Sequence, residues 1–245
     1  WGIYEIDDPT LPVDKMCDRA LMAVNSITGL YDSYYAVYDD SLRGKLVKEK
    51  QITDIAEDSL HNGEFISFYQ PQYSLEDECL IGAEALVRWK HPVWGLVSPA
   101  DFIPVFERNG FISRLDRYVW EKACQHLRRW IDMGYTNMRV SVNISRVDVY
   151  QMDILDVLLS LMEKYDLEPH SLHLEITESA YSENPAQLSQ TINELRAHGF
   201  VVEMDDFGSG YSSLNMLSHI SLDTLKLDMT FITNETAKPF DVSIL

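Results

Sequence analysis

No apolar run in these 245 residues approaches the roughly 20 that a membrane span demands. Cysteine is scarce as well. Cys17, Cys79 and Cys124 are odd in number, widely spaced and without a Cys-x-x-Cys pair. That argues against a disulfide framework and a thiolate zinc site, and predicts reduced thiols in a cytosolic protein. Positive charge is the third shortage. Twenty Lys and Arg face 39 Asp and Glu, for a formal charge of −19. Such a chain is a poor match for the backbone of a nucleic acid polymer, which attracts clustered cations. A small phosphate ligand held through metal ions stays compatible with that charge. No secretory leader is legible. The chain starts at Trp1 in what reads as mid-strand, so it is expected to be a piece of a longer protein. No membrane contact is expected of this segment, although an anchor could lie outside it.

What is present is ordinary for a globular protein: 46% hydrophobic and 24% charged residues. The length allows one large domain or one and a half smaller ones. Residues 1–40 read as strand Trp1–Ile6, helix Val13–Ser26 and strand Tyr34–Tyr38, too little for a domain of its own. Residues 41–62 read as a connecting helix, with Leu42, Leu46, Ile52, Ile55, Ala56 and Leu60 near helical spacing.

From residue 63 the pattern changes. Strands Phe65–Ser74 and Cys79–Trp89 are joined by a turn so short that they must be antiparallel. A helix opens at Ser98-Pro99 and ends at Gly110, and an amphipathic helix spans Arg114–Met133. Strand Met138–Ser145, helix Met152–Tyr165, strand Ser171–Thr177 and helix Pro185–His198 follow. Strand Phe200–Asp205, helix Ser212–Ser218 and strand Thr224–Asp228 complete the pattern, with no further strand after Met229. Alternating strands and helices imply a parallel sheet. Six strands are two short of a complete (β/α) barrel.

The chemistry lies in the strands. Alternation puts Glu84 with Gly82, Leu86 and Arg88, Asn143 with Ser141, Glu175 with His173 and Thr177, and Lys226 with Thr224 and Asp228. These polar sets face away from the helix-packing side, hence into the barrel. There an unpaired charge costs several kcal/mol, so the groups must compensate each other or hold ions. Asp205-Asp206 at another strand end adds two adjacent carboxylates. Alone, that pair reads more readily as a solvated acidic turn. Singly, Glu84 could be a surface carboxylate, Asn143 a turn cap and Lys226 a solvated lysine. Their recurrence on successive strands points to one shared site.

Six motifs in order resemble the EAL-domain family: Tyr69-Gln70-Pro71, Glu84-Ala85-Leu86, Ser141-Val142-Asn143, Leu174-Glu175-Ile176-Thr177-Glu178, Asp205-Asp206-Phe207-Gly208 and Leu225-Lys226-Leu227-Asp228. The likeness runs from about Asn62 to Thr233. It implies an α/β modified TIM barrel with an antiparallel first strand, here incomplete. The domain would occupy residues 63–245. It implies hydrolysis of cyclic di-GMP to linear pGpG with two Mg²⁺ or Mn²⁺ ions. By position, Glu84, Asn143, Glu175, Asp205 and Asp206 would be the metal ligands. Lys226 would orient the attacking water, Arg88 would hold a phosphate oxygen, Gln70 would line the ligand site and Glu178 would brace the loop beginning at Asp206. The loop and helix after Asp206 would form a homodimer contact. Residues 1–40 are similar to the end of a GGDEF domain, through Gly2-Ile3-Tyr4, Asp18-Arg19-Ala20 and Tyr38-Asp39. The late Glu-Gly-Val-Glu motif of the EAL family, and a Gln before its last strand, are not found after Lys226. This predicts weak or no activity for the segment by itself. A non-catalytic cyclic di-GMP receptor and a protein-interaction module are the alternatives.

Overall fold

A computed structural model describes residues 1–27, 34–177, 180, 184–208 and 220–228. The chain forms two compact units, Trp1–Asp58 and Ser59–Leu245.

In the first unit, β1 (Gly2–Ile3) pairs in parallel with β2 (Ala36–Val37), and α1 (Val13–Ser26) connects them. Gly2 is required here. A Cβ at that position would lie 1.9 Å from the carbonyl oxygen of Ala20, so only glycine lets β1 rest on α1. Arg19 sits over the rings of Tyr4 and Tyr38, at 4.9 and 5.3 Å from their centroids. Both strands are shorter than their sequence runs suggest, because only two residues of each form the ladder. Helix α2 (Asp40–His61) follows and contains the boundary between the units.

The second unit is built on β3 (Phe65–Tyr73), β4 (Leu80–His91), β6 (Arg139–Ile144), β7 (Leu172–Thr177), β8 (Val201–Phe207) and β9 (Thr224–Leu227), in that spatial order. The β3–β4 pair is antiparallel and every later neighbour is parallel. This is the expected α/β sheet with an antiparallel first strand. A short strand that the sequence did not suggest, β5 (Gly95–Val97), folds back on the end of β4. It carries β4 two residues past the expected Trp89.

Helices α3 (Pro99–Asn109), α4 (Ile112–Asp132), α5 (Arg146–Gln151), α6 (Ile154–Tyr165) and α7 (Pro185–Ala197) join the strands. Local chemistry sets their ends. Gly110 stops α3 in a left-handed turn at φ 78°. Ser145 and Asp148 cap α5 reciprocally. Asn184 caps α7, with Pro185 in its first turn. Helix α5 was also unexpected, and Asp153 delays the next helix to Ile154 by capping it.

The helix-facing sides of the parallel strands make the core. Val140, Val142, Leu172, Leu174, Ile176, Val202 and Met204 are buried against Trp120 and Leu127 of α4, Leu158 of α6 and Ile192 of α7. Each such burial contributes about 1.5–3 kcal/mol. A second cluster stacks Phe65 on Trp89 at 5.1 Å, with Phe102 and Phe106 packed edge-on, and anchors α3 to the antiparallel pair. Among the described residues no helix is long and apolar enough to cross a membrane. The expected helix Ser212–Ser218, and the residues after Met229, lie outside the described residues.

Candidate active site

With their apolar sides turned to the helices, the parallel strands direct polar residues to the opposite face. There Glu84 of β4, Glu175 of β7, Asp205 of β8 and Lys226 of β9 meet. The Lys226 ammonium lies 2.8 Å from Glu84 Oε2, 2.9 Å from Glu175 Oε1 and 3.4 Å from Asp205 Oδ1. One oxygen from each of the three carboxylates lies within 4.8 Å of the others.

Burial is graded across the cluster. The Glu175 side chain is fully buried, whereas Glu84, Asp205 and Lys226 keep 15%, 21% and 25% of theirs exposed. The cluster is therefore partly open to solvent, through Glu84, Asp205 and Lys226. Burial, and then the charge of Glu84, push the Glu175 carboxyl up to about 8 against the opposing pull of Lys226. Burial works against the Lys226 charge, but the hydrogen bond to Glu84 and the close negative charge of Glu175 outweigh it and hold its pKa above the usual lysine range.

Neighbouring structure fixes these positions. Glu84 faces Gln70 across the β3–β4 ladder, and Asn143 is the register partner of Glu175. Both Gln70 and Asn143 are exposed. The indole N–H of Trp120 donates to the Asn143 carbonyl at 3.0 Å, holding the end of β6. Ahead of β9, Asp223 accepts from Arg196 Nη2 at 2.7 Å and from the Val202 backbone N–H at 2.9 Å.

Asp205 and Asp206 separate. Between Met204 and Phe207, β8 spends one residue more than β9 does between Leu225 and Leu227, so the ladder bulges. Asp206 takes the left-handed conformation at φ 57° within that bulge. It is exposed and is not one of the three carboxylates that cluster within 4.8 Å. Its pKa is raised by partial burial and by the charges of Asp205 and Asp228. Glu178 lies outside the described residues.

Arg88 is half-buried, two residues beyond Leu86 on the Glu84 face. It donates to the Val87 carbonyl at 2.8 Å and lies 5.7 Å from the Phe68 ring centroid. It also borders a cavity of about 500 Å³ whose lining includes Asn143, Thr177, Asp116, Arg146 and Ile103. Asp116 on α4 is buried, and desolvation together with the charge of Asp148 raises its pKa well above the carboxylate range. The sequence carried a signal for it: a carboxylate next to Leu115 and close to Val119 on the apolar stripe of α4.

A second missed feature lies deeper in the same sheet face. His173 Nδ1 meets Glu203 Oε1 at 2.6 Å, and Ser141 Oγ donates to Glu203 Oε2 at 3.3 Å. All three residues are buried. Burial would raise Glu203, but the hydrogen bond and charge of His173 hold it below the usual range.

The donor set fits a hard divalent cation. Three carboxylates come from three strands, and both oxygens of Glu175 are buried without a hydrogen-bond donor, its contact with Lys226 being an ion pair outside hydrogen-bond geometry.

The EAL domain pattern matches residues 53–242. The bifunctional diguanylate cyclase/cyclic di-GMP phosphodiesterase MucR of Pseudomonas aeruginosa is 32% identical over 207 residues, covering 84% of this chain and 30% of MucR. The cyclic di-GMP phosphodiesterase NbdA of the same organism is 36% identical over 200 residues, covering 82% of this chain and 26% of NbdA. The chain thus spans less than a third of the length of these curated relatives. A solved structure of the MucR phosphodiesterase in complex with c-di-GMP superposes with a TM-score of 0.71 at 33% identity, covering 79% of this chain and 78% of that one. The six consecutive strands are staves of a TIM-like barrel, and the chain belongs to the EAL domain family.

Proposed function

We propose that this chain is the EAL part of a protein that hydrolyses cyclic di-GMP to linear pGpG in a reaction that depends on divalent metal ions, and that the segment by itself turns the substrate over weakly. The observation that carries the reading is the convergence of Glu84, Glu175 and Asp205 within 4.8 Å, with Lys226 in contact with all three. Family membership and the likeness to the MucR phosphodiesterase complex support the substrate.

Glu84, Asn143, Glu175 and Asp205 would hold one Mg²⁺ or Mn²⁺, and Asp206 would contribute to a second. Bound there, the ions would supply Lewis-acid stabilisation of the phosphodiester oxygens and make water a competent nucleophile at neutral pH. The chain's own residues do the rest. Arg88 holds a non-bridging phosphate oxygen, as guanidinium groups do well. Gln70 lines the ligand beside Glu84. Lys226 orients the attacking water in line with the scissile bond. The water oxygen bonds to phosphorus, the bond from phosphorus to the 3′ oxygen breaks, and that oxygen leaves with a proton as a hydroxyl. The cavity beside Arg88 has room for the part of the ligand that extends beyond the phosphate. Residues 1–40 are the closing strand–helix–strand of a GGDEF-like domain. The parallel β1–β2 pair crossed by α1 supports this last assignment.

The test is product analysis by anion-exchange chromatography after incubation with cyclic di-GMP and Mn²⁺, with and without chelator. The expected product is pGpG, formed only with metal. Cyclic di-GMP binding with no pGpG under either condition would make the chain a receptor and overturn the enzyme reading.

A further inference from the structure

We infer that Lys226 is the internal counter-cation of the carboxylate cluster and competes with a divalent ion for the same oxygens. The inference rests on the metal-site reading above and deepens it. Lys226 differs from an ordinary surface ion pair in two respects. It comes from a different strand than any of its three partners. It is also 25% exposed, whereas the Glu175 side chain it neutralises is fully buried. When all three carboxylates are ionised, at such separations and with one wall dry, they repel by several kcal/mol unless a cation stands among them. In the structure that cation is the Lys226 ammonium, at 2.8, 2.9 and 3.4 Å.

A Mg²⁺ ion demands carboxylate oxygens at about 2.0–2.1 Å in near-octahedral geometry. The ammonium holds the same oxygens at longer range and with one charge instead of two. An ion drawing Glu84 and Glu175 inward would bring a double positive charge close to the lysine. Lys226 therefore gives up its contacts with Glu84 and Glu175 as the ion binds. It then turns toward the more exposed Asp205 and the solvent-open side, where a nucleophilic water would enter. The same side chain thus keeps the carboxylates assembled before loading and is released into its orienting role by loading. The cost is weaker ion binding than three uncompensated carboxylates would give.

The test compares Mg²⁺ binding by calorimetry, at about pH 8.5 so that protons do not replace the lysine as competitor. The 245-residue chain is used as wild type, K226M and K226R. The expected result is at least about tenfold tighter Mg²⁺ binding by K226M, with K226R close to wild type because it keeps the positive charge. In chelator, K226M should melt below wild type, and Mg²⁺ should close that gap. Unchanged or weaker binding by K226M, with wild type binding normally, overturns the inference alone. Absence of Mg²⁺ binding by all three chains overturns the metal-site reading and the inference with it. Should K226M fail to fold, the wild-type chain labelled with ¹⁵N at lysine side chains gives the answer. The ammonium signal missing from K226R should shift on adding Mg²⁺, and a signal that stays in place overturns the inference.

Discussion

Lys226 of β9 touches Glu84 of β4 at 2.8 Å, although four inter-strand steps separate the two strands in the sheet. On a flat sheet four steps of about 4.8 Å would hold them some 19 Å apart. The sheet must therefore curl until its second and sixth strands face each other. This one contact expresses both the barrel curvature and the chemistry, because the curl is what brings a lysine into a nest of carboxylates.

Glu84 should be indispensable to that nest. Glu84→Gln removes a charged oxygen donor with little change in volume. Mn²⁺ affinity and pGpG formation should each fall by more than about 100-fold, beyond the 10–100-fold loss typical when a residue only braces a metal ligand. Calorimetry and product chromatography measure the two losses separately.

Glu175 should make the chelator-treated chain sensitive to pH. Its carboxyl is raised to about 8 by burial and by Glu84, well above an ordinary glutamate. The folded chain therefore binds a proton that the unfolded chain releases, at every pH between the unfolded and folded values. The stability linked to this group is complete below about pH 4 and is lost as pH rises through 8. Thermal unfolding in chelator should show a falling melting temperature across that window, flattened in Glu175→Gln. A rising melting temperature would contradict the assignment.

The His173–Glu203 pair should be a structural device. Both side chains are buried, at 6% and 5% exposure, and 2.6 Å apart. His173→Leu leaves a buried carboxylate without its partner and should cost about 3–5 kcal/mol in denaturant unfolding. Replacing Glu203 by Leu as well should recover much of that loss, since paired charges and apolar residues of similar volume often fill a core equally well.

Asp116 should tolerate neutralisation. Burial and the Asp148 charge already keep its carboxyl protonated more readily than usual. Asp116→Asn should therefore leave the melting temperature equal or higher at neutral pH, with the gain growing as pH rises. A lower melting temperature would show that Asp116 is held ionised.

Much of this was legible in the sequence because the strands are apolar on one side only. Glu175 stands out between Leu174 and Ile176, and Lys226 between Leu225 and Leu227, so period-two alternation placed both on one face. The antiparallel first pair followed from the four residues between Ser74 and Cys79. The His173–Glu203 pairing was not legible, because it depends on how β7 and β8 are registered. Strand β5 was missed because three residues carry no periodicity. Helix α5 was missed because its six residues depend on a cap from Ser145 more than on an apolar stripe. The bulge that parts Asp205 from Asp206 needed both strands to be seen, since adjacent letters look equivalent in a sequence.

The most direct test of the account is the rate of pGpG formation from cyclic di-GMP as Mn²⁺ is titrated into the wild-type chain and Glu175→Gln. Slow, metal-dependent turnover by the wild type that saturates with Mn²⁺, and almost none by the variant, is the expected result. Equal turnover by the two chains, or turnover that persists in chelator, would contradict it.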